Sequence, residues 1–573
     1  MNRFLAWVCL LLLPAGAAGG IATTKHNLSV SGPGSVKASE ESQICIFCHT
    51  PHGASPVAPL WNRRDPGKSY IPYSSSTVQA SPGQPTGASI LCLSCHDGTI
   101  ALGEVLSREA PISMAGGVVN MPQGRANLGT DLSDDHPISF HYTSSLGGLD
   151  GGLLPPAALT GPVKLDASGQ LQCTACHDPH DDAKGKFLVL SPAYGELCLA
   201  CHDMRLRDSP HGSAPNRWDG VGADPWPETD LDSVGANACL NCHTSHAAGG
   251  PRLLRSGVAA DTCLGCHNGH VADSDIAQVV DKLFAHPVRD YAGDHDPTEE
   301  LVVKDRHVAC SDCHNPHVAA TRLGSEDDGM LPQVAGVTIT GGEVDPIDHE
   351  YELCLRCHGD SHGKAPPYVY RLDGEDNVRR EFSPSNPSYH PVAAPGRNPF
   401  VPSLIPPLST ASIITCTDCH NNDGAGPRGP HGSNNRAMLE LEYVTDDPNP
   451  ESPTAYALCY KCHDRNSVLG DQSFSLHSRH INGAGAGAGG QSLNTPCSVC
   501  HDPHGVNDLG QHSGERLINF DVDVVQPNND GELFFQSRGL HAGTCSLRCH
   551  GRQHRDCGYD EGYVPGAGGD CSG

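Results

Sequence analysis

Cys-x-x-Cys-His occurs eleven times in the chain, ending at His49, His96, His177, His202, His243, His267, His314, His358, His420, His463 and His501. A twelfth string, Cys545-Ser-Leu-Arg-Cys549-His550, carries one extra spacer residue. From 27 Cys and 34 His, a shuffled chain would hold about 0.1 strict motifs, so the repetition reflects chemistry. Two thiols at this spacing add across the vinyl groups of haem, and the His that follows brings its imidazole to the iron. The attaching pairs are then Cys45 and Cys48, Cys92 and Cys95, Cys173 and Cys176, Cys198 and Cys201, Cys239 and Cys242, Cys263 and Cys266, Cys310 and Cys313, Cys354 and Cys357, Cys416 and Cys419, Cys459 and Cys462, Cys497 and Cys500, and Cys545 and Cys549. Zinc requires two ligand pairs per ion and has no use for a His after every second Cys. A disulfide framework does not fix the His either. Twelve covalent haem c groups are the expectation, with His550 the twelfth proximal ligand.

Three cysteines are left over. Cys9 belongs to an N-terminal segment read as a signal peptide. Cys557 and Cys571 are expected to form a disulfide, worth ~3 kcal/mol in the chain-entropy account; two free thiols are the alternative.

With the twelve proximal histidines set aside, 22 remain. Six lie three residues beyond a proximal one: His52, His180, His246, His270, His317 and His504. On a helix such a residue shares the side its proximal His already occupies. It cannot reach round the porphyrin, so it is expected to ligate a neighbouring haem. Of these, His270 follows a second-type motif and is held in reserve. A second class lies upstream of motifs: His136, His286 and His390, each in His-Pro-[Ile/Val], and by position His26, His211 and His480. Proline after His biases the backbone there toward an extended course. One upstream His and one such downstream His per unit would supply two haems. The unit containing Cys416 lacks the downstream His, and His431 is the substitute. His362 and His554 are further reserves, while His307, His349 and His541 just precede motifs and have a structural alternative. Met114, Met121, Met204, Met330 and Met438 hold no repeated position and read as packing.

The motifs alternate in kind. First members, such as CTACHDPH and CSVCHDPH, are followed by second members, such as LCLACHDM and LCLRCHGD. This divides the chain into a signal peptide over 1–20 and six haem units: 21–110, 111–210, 211–275, 276–375, 376–475, and 476–573 with the C-terminal tail. The segments between are rich in Pro, Gly and Ser, as in 71–87, 383–407 and the GAGAGAGG run at 483–490. Hydrophobic residues are 37% and aromatics 5%, with 65 Gly and 46 Pro. So little apolar material cannot build several ordinary cores, and folding should depend on the haems. The expected fold is mostly irregular coil with short helices starting at the attachment motifs, an extended multihaem cytochrome c array with little β. A hairpin is expected near 331–343. The net charge of −29 excludes nucleic acid as partner, since phosphates demand cations. The apolar run at 4–13 is too short to span a bilayer and is followed by small residues, as in a cleaved secretory signal. Cys9 lies within that run after Val8 rather than at its end, which argues against a lipid anchor. No other segment reads as a transmembrane helix, so the chain is expected to be exported, to the periplasm, outer surface or medium.

CIFCHTPH after His26-Asn27-Leu28-Ser29, LCLSCHDGT, DHPISF and the closing C-x-x-x-CHG-x-x-H resemble bacterial multihaem c-type cytochromes of the doubled CXXCH family, including the large cytochromes of metal-reducing bacteria. The resemblance implies exported electron transfer toward redox proteins or extracellular acceptors rather than catalysis, and self-assembly into haem filaments in some relatives. A reductase with one open-coordination haem and a porin-embedded trans-envelope subunit are the alternatives.

Overall fold

The computed structural model describes residues 20–559 apart from 57, 147–151, 205, 207–208, 291–295, 297–298, 303–306, 319–333, 484–492 and 508–513. The signal segment and Cys571 lie outside the described residues. The chain divides into two compact units, one of Met1–Pro215 with Trp226–Gly257, the other of Asn216–Pro225 with Val258–Gly573. The first contains five motifs and the second seven.

Irregular backbone dominates, with short helices and little strand. The cofactor-centred composition leaves only small apolar clusters. One gathers Phe140, Tyr142, Leu146, Val163, Leu171 and Ala175, with Cys201 against it. Another gathers Val499, Phe520, Val525, Phe535 and Leu547, with Cys500, Cys545 and Cys549 against it. Motif cysteines thus line the edges of the few cores the chain builds.

The two kinds of motif fold differently. First members sit on single turns, such as Cys45–Phe47, Cys173–Ala175, Cys416–Asp418 and Cys497–Cys500. Three of the six second members close longer helices: α1 (Gly87–His96), α2 (Ala259–Leu264) and α3 (Glu350–His358). Helices were expected to start at motifs; these end there. The apolar residue before the first Cys, as in Leu91-Cys92 and Leu353-Cys354, lets the helix bury a face before it reaches the haem position. In α3, Glu352 accepts from the backbone N–H of His349 at 2.9 Å, satisfying a donor at the helix start, and Glu350 and Glu352 suit the positive end of its dipole. His349 is therefore a capping residue, stacked on Tyr351 at 5.4 Å between ring centroids.

The hairpin expected near 331–343 is present between Gly336–Val337 and Glu343–Val344. The larger sheet was not foreseen. It comprises β1 (Val525–Gln526), β2 (Phe534–Gly539), β3 (Ala542–Cys549) and β4 (Arg552–Tyr559), all antiparallel, with β3 pairing the other three. It contains the twelfth motif.

Candidate haem centres

In the eleven strict motifs, one helical turn brings the two thiols to the same side, as residues three apart must be. In nine of them the His backbone N–H bonds the carbonyl of the first Cys at 2.8–3.0 Å. The other two, His96 and His358, end α1 and α3.

A strap then crosses five first-type motifs. Trp61, Leu188, Leu254, Leu439 and Ile518 form β-bridges to His49, His177, His243, His420 and His501. In each case the residue after the proximal His donates to the residue before the bridging one, at 2.8–2.9 Å. The residue after the bridging one donates to the second Cys, at 2.9 Å. In four straps the two residues before the bridge are left-handed and neither is glycine: Lys186-Phe187, Arg252-Leu253, Ala437-Met438 and Arg516-Leu517, with φ between 52° and 62°. Such residues cost on the order of 1–3 kcal/mol each. The return is orientation. The carbonyl of the first left-handed residue accepts from Nδ1–H of the proximal His: His177 to Lys186 at 3.0 Å, His243 to Arg252 at 3.1 Å, His420 to Ala437 at 2.8 Å and His501 to Arg516 at 3.1 Å. With Nδ1 occupied, Nε2 is left to face the metal position. Elsewhere His96 uses Ala126 O at 2.6 Å and His463 uses Ser403 Oγ at 2.8 Å. Strings such as PRLLR and ERLIN after the motif were the available signal for the strap.

A second imidazole faces most proximal ones. Two histidines on opposite sides of one metal, each at the ~2 Å usual for an imidazole ligand, place their ring centroids ~6 Å apart. In the first unit His180 faces His49 at 6.2 Å, His26 faces His96 at 6.1 Å, His246 faces His177 at 6.2 Å and His136 faces His202 at 6.4 Å. In the second, His431 faces His314 at 6.0 Å, His286 faces His358 at 6.3 Å, His504 faces His420 at 6.3 Å, His390 faces His463 at 6.5 Å and His477 faces His501 at 6.2 Å. His180, His246 and His504 all face the proximal His of the first motif of the preceding haem unit rather than their own.

Burial, with neighbouring imidazoles adding to it, pushes His358 and His463 down to about 4 and His477 to about 3. Burial also brings His420 and His501 to about 4. These imidazoles are neutral at pH 7, the form that binds metal. His504 differs: burial opposes its charge, but Glu381, 3.0 Å from Nδ1, carries it up to about 9. Asp135 is placed similarly, 2.9 Å from Nδ1 of His246.

Two expected ligands, His480 and His52, face no proximal ring among the described residues. His480 faces no proximal ring; its Nδ1 bonds Leu476 O at 2.8 Å, and the turn His477–Ile481 presents His477 instead. Both lie within four residues, so spacing could not choose between them. His52 is exposed on the surface and faces no other ring. His26 faces His96, as expected of an upstream ligand. His211, on the turn Pro210–Ser213, and His317, in the loop after its motif, keep their places as candidate ligands. Among the reserves, His270 bonds Asp219 at 3.0 Å, His362 is exposed, and His554 lies near His480. His307 is 3.1 Å from Glu299, and His541 packs on Phe400 at 4.5 Å between ring centroids.

The thiols themselves form a series. In the first unit Cys48 neighbours Cys95, Cys92 bonds Cys173, Cys176 neighbours Cys201, and Cys198 bonds Cys239. In the second, Cys263 bonds Cys310, Cys313 neighbours Cys357, Cys354 bonds Cys416, Cys419 neighbours Cys462, Cys459 bonds Cys497, and Cys500 neighbours Cys545 and Cys549. Among the strict motifs, first cysteines meet first cysteines, and second meet second.

The eleven turn-borne sites fit covalent haem. The twelfth does not. Cys545 and Cys549 lie along β3, where four residues at ~3.3 Å each separate Cα atoms by ~13 Å, against a Cβ separation of ~5–6 Å for residues three apart on a helix. Cys545 is paired in register with Phe535 and with Cys557, which is itself disulfide-bonded. Nε2 of His550, the atom that would face iron, lies 3.2 Å from Asp447 Oδ2.

Compared with known families, the chain matches the doubled CXXCH motif over 166–205, 232–272 and 407–468. No curated protein matches it.

Proposed function

From the premise that doubled Cys-x-x-Cys-His motifs make this chain a multihaem c-type cytochrome, whose work is electron transfer, we propose that it is an exported linear electron conduit carrying eleven haems c. The thiol series carries this reading. Each turn-borne pair of thiols becomes two thioethers, and each such edge touches the edge of the next motif in sequence, so neighbouring haems are consecutive along each unit. Haem supplies the electron-accepting iron; the chain supplies spacing, two imidazoles per iron, and exclusion of water. The proposal counts eleven rather than the twelve expected from sequence because β3 spreads the last thiol pair.

Intact mass of the mature protein, measured denatured, decides the count. Eleven haems with Cys545 and Cys549 alkylatable is the expected outcome; twelve would show that β3 converts to a turn during attachment. Carbon monoxide added to the reduced protein tests the conduit. Little spectral change fits bis-histidine haems, whereas stoichiometric binding at one haem favours the multihaem reductase.

Export rests on the apolar run at 4–13, and the partners are redox proteins or extracellular acceptors. No described helix is long and apolar enough to cross a membrane; insertion of the chain in a porin is the alternative arrangement. Head-to-tail self-assembly into a haem filament is supported by His52. In the repeat, the histidine at this position faces a proximal ring one haem unit earlier, whereas His52 is exposed and faces no ring among the described residues. The net charge of −29 opposes association, and salt screens it over ~8 Å at physiological strength. Electron microscopy in salt should show filaments for wild type and not for His52→Ala; wild-type particles that stay single would remove the assembly and leave the conduit.

A further inference from the structure

The contacts between second cysteines are electrostatically unequal. Four of them carry a basic side chain: Arg63 at Cys48 and Cys95, Arg356 at Cys313, Lys461 at Cys419 and Cys462, and Arg371 at Cys500. Three of these cations have a carboxylate. Arg356 is 3.8 Å from Asp312 and 3.9 Å from Glu299, Lys461 is 2.6 Å from Glu440, and Arg371 is 3.7 Å from Asp502.

Arg63 has none among the described residues, and it is wholly buried, at 0% exposure. Its guanidinium is held by carbonyls alone: Ser94 at 2.8 and 3.3 Å, Leu102 at 3.0 Å, and Glu104 and Ala101 at 3.1 Å each. Ser94 lies inside the motif Cys92–His96, and Asn62, beside Arg63, donates to Cys48 O at 2.9 Å. The carboxylate of Glu104 is turned away to Arg64. The one buried acid nearby, Asp97, is held by Tyr70 at 2.8 Å and Thr99 at 2.9 Å. At the Cys95 sulfur the field of Arg63 outweighs that of Asp97. Carbonyls make the cation's burial tolerable without cancelling its charge. In a low-dielectric interior such a charge acts strongly on groups a few ångströms away.

We infer that Arg63 raises the reduction potentials of the two haems attached at Cys45–His49 and Cys92–His96, making this pair the site where electrons collect within the first unit. Reduction adds a negative charge to a haem, and a fixed buried cation favours that state over the oxidised one. This pair reaches solvent: Cys45 is exposed. Electrons gathered here are therefore at a surface from which an acceptor can take them. The inference rests on the conduit reading and deepens it by giving the first unit a direction.

The test is spectroelectrochemical titration of the full haem-loaded chain. Arg63→Gln should move two haem equivalents to lower potential by at least ~tenfold in reduction equilibrium, which is 59 mV for one electron, with haem content by mass unchanged. Arg63→Lys, which keeps the charge, should restore most of the shift. Equal shifts for Gln and Lys, or none for Gln at full haem content, would overturn the assignment. Should the Arg63 variants fail to accumulate, Asp97→Asn gives the opposite sign: two equivalents should rise, and an unchanged titration would count against the inference. A wild-type chain with no reversible low-spin haem would instead overturn the conduit reading itself.

Discussion

The motifs 497–501 and 545–550 are successive in sequence, share one unit and bring their cysteines together at Cys500, yet they solve opposite problems. The first is a turn whose backbone is spent on orienting an imidazole. Its strap forces Arg516 and Leu517 into left-handed conformations, and the carbonyl so exposed holds His501. The second has its backbone committed to three neighbouring strands, and its His550 is paired with a carboxylate. Cys-His spacing alone names a haem site only where the local backbone is free to turn. One additional spacer residue, and a run of Thr544, Cys545, Ser546 and Leu547 between two strands, is enough to favour a ladder over a turn.

The sharpest test of that contrast removes each thiol pair in turn. Cys497→Ala/Cys500→Ala should lose one haem and unravel the cluster of Val499, Phe520 and Leu547, seen as loss of hydrogen-exchange protection through 517–526. Cys545→Ala/Cys549→Ala should leave the haem count by mass unaltered. A haem lost from the second variant would erase the contrast.

Removing a ligand supplied by the loop after motif 497–501 comes next. His504→Ala should open the haem at Cys416 and Cys419, not the one at Cys497, so that carbon monoxide binds about one haem per chain. His554→Ala should bind none. Mapping the carbon monoxide adduct to the Cys497 haem would contradict the ring pairing described above.

Strap strain gives a smaller effect. Proline fixes φ near −65°, so Arg516→Pro cannot adopt the observed 62° and should cost ~3 kcal/mol locally. Glycine accepts that conformation, and Arg516→Gly should gain up to ~1 kcal/mol. Exchange of the Asp502 and Asn519 amides reads both; equal effects from Pro and Gly would mean that the left-handed backbone is incidental.

The smallest effect concerns His550. Its hydrogen bond to Asp447 raises its pKa above 6.5. The stabilisation is full below the unfolded value and is lost as pH rises through the folded one. Asp447→Asn should therefore cost ~1 kcal/mol near pH 5.5 and almost nothing at pH 9. A cost independent of pH would mean that His550 is not titrating, as expected if it were bound to iron.

Much of this was legible in sequence. The spacing of the eleven Cys-x-x-Cys-His motifs is local to the sequence, and the coil-rich fold follows from 111 glycines and prolines in 573 residues. That a +3 histidine cannot serve its own haem is also local geometry. Which earlier proximal ring it reaches depends on how consecutive units stack, and nothing in CHDPH encodes that. His477 and His480 differ only in which way one short turn faces. The β-sheet at 525–559 was missed because its strands contain Gly, Cys and charged residues and read as a haem motif first.

The source of the acceptor for Nδ1–H carries a further consequence. Where it is a main-chain carbonyl, as for His177, His243, His420 and His501, no side-chain substitution can delete it. The imidazole's electron donation is then insulated from mutational drift in the strap. His246 and His504 are different, because Asp135 and Glu381 can be exchanged by a single codon change. Tuning of these imidazoles would thus be adjustable where a side chain holds Nδ1, at His246, His504 and, through Ser403, His463, and cast into the backbone at the four strap histidines.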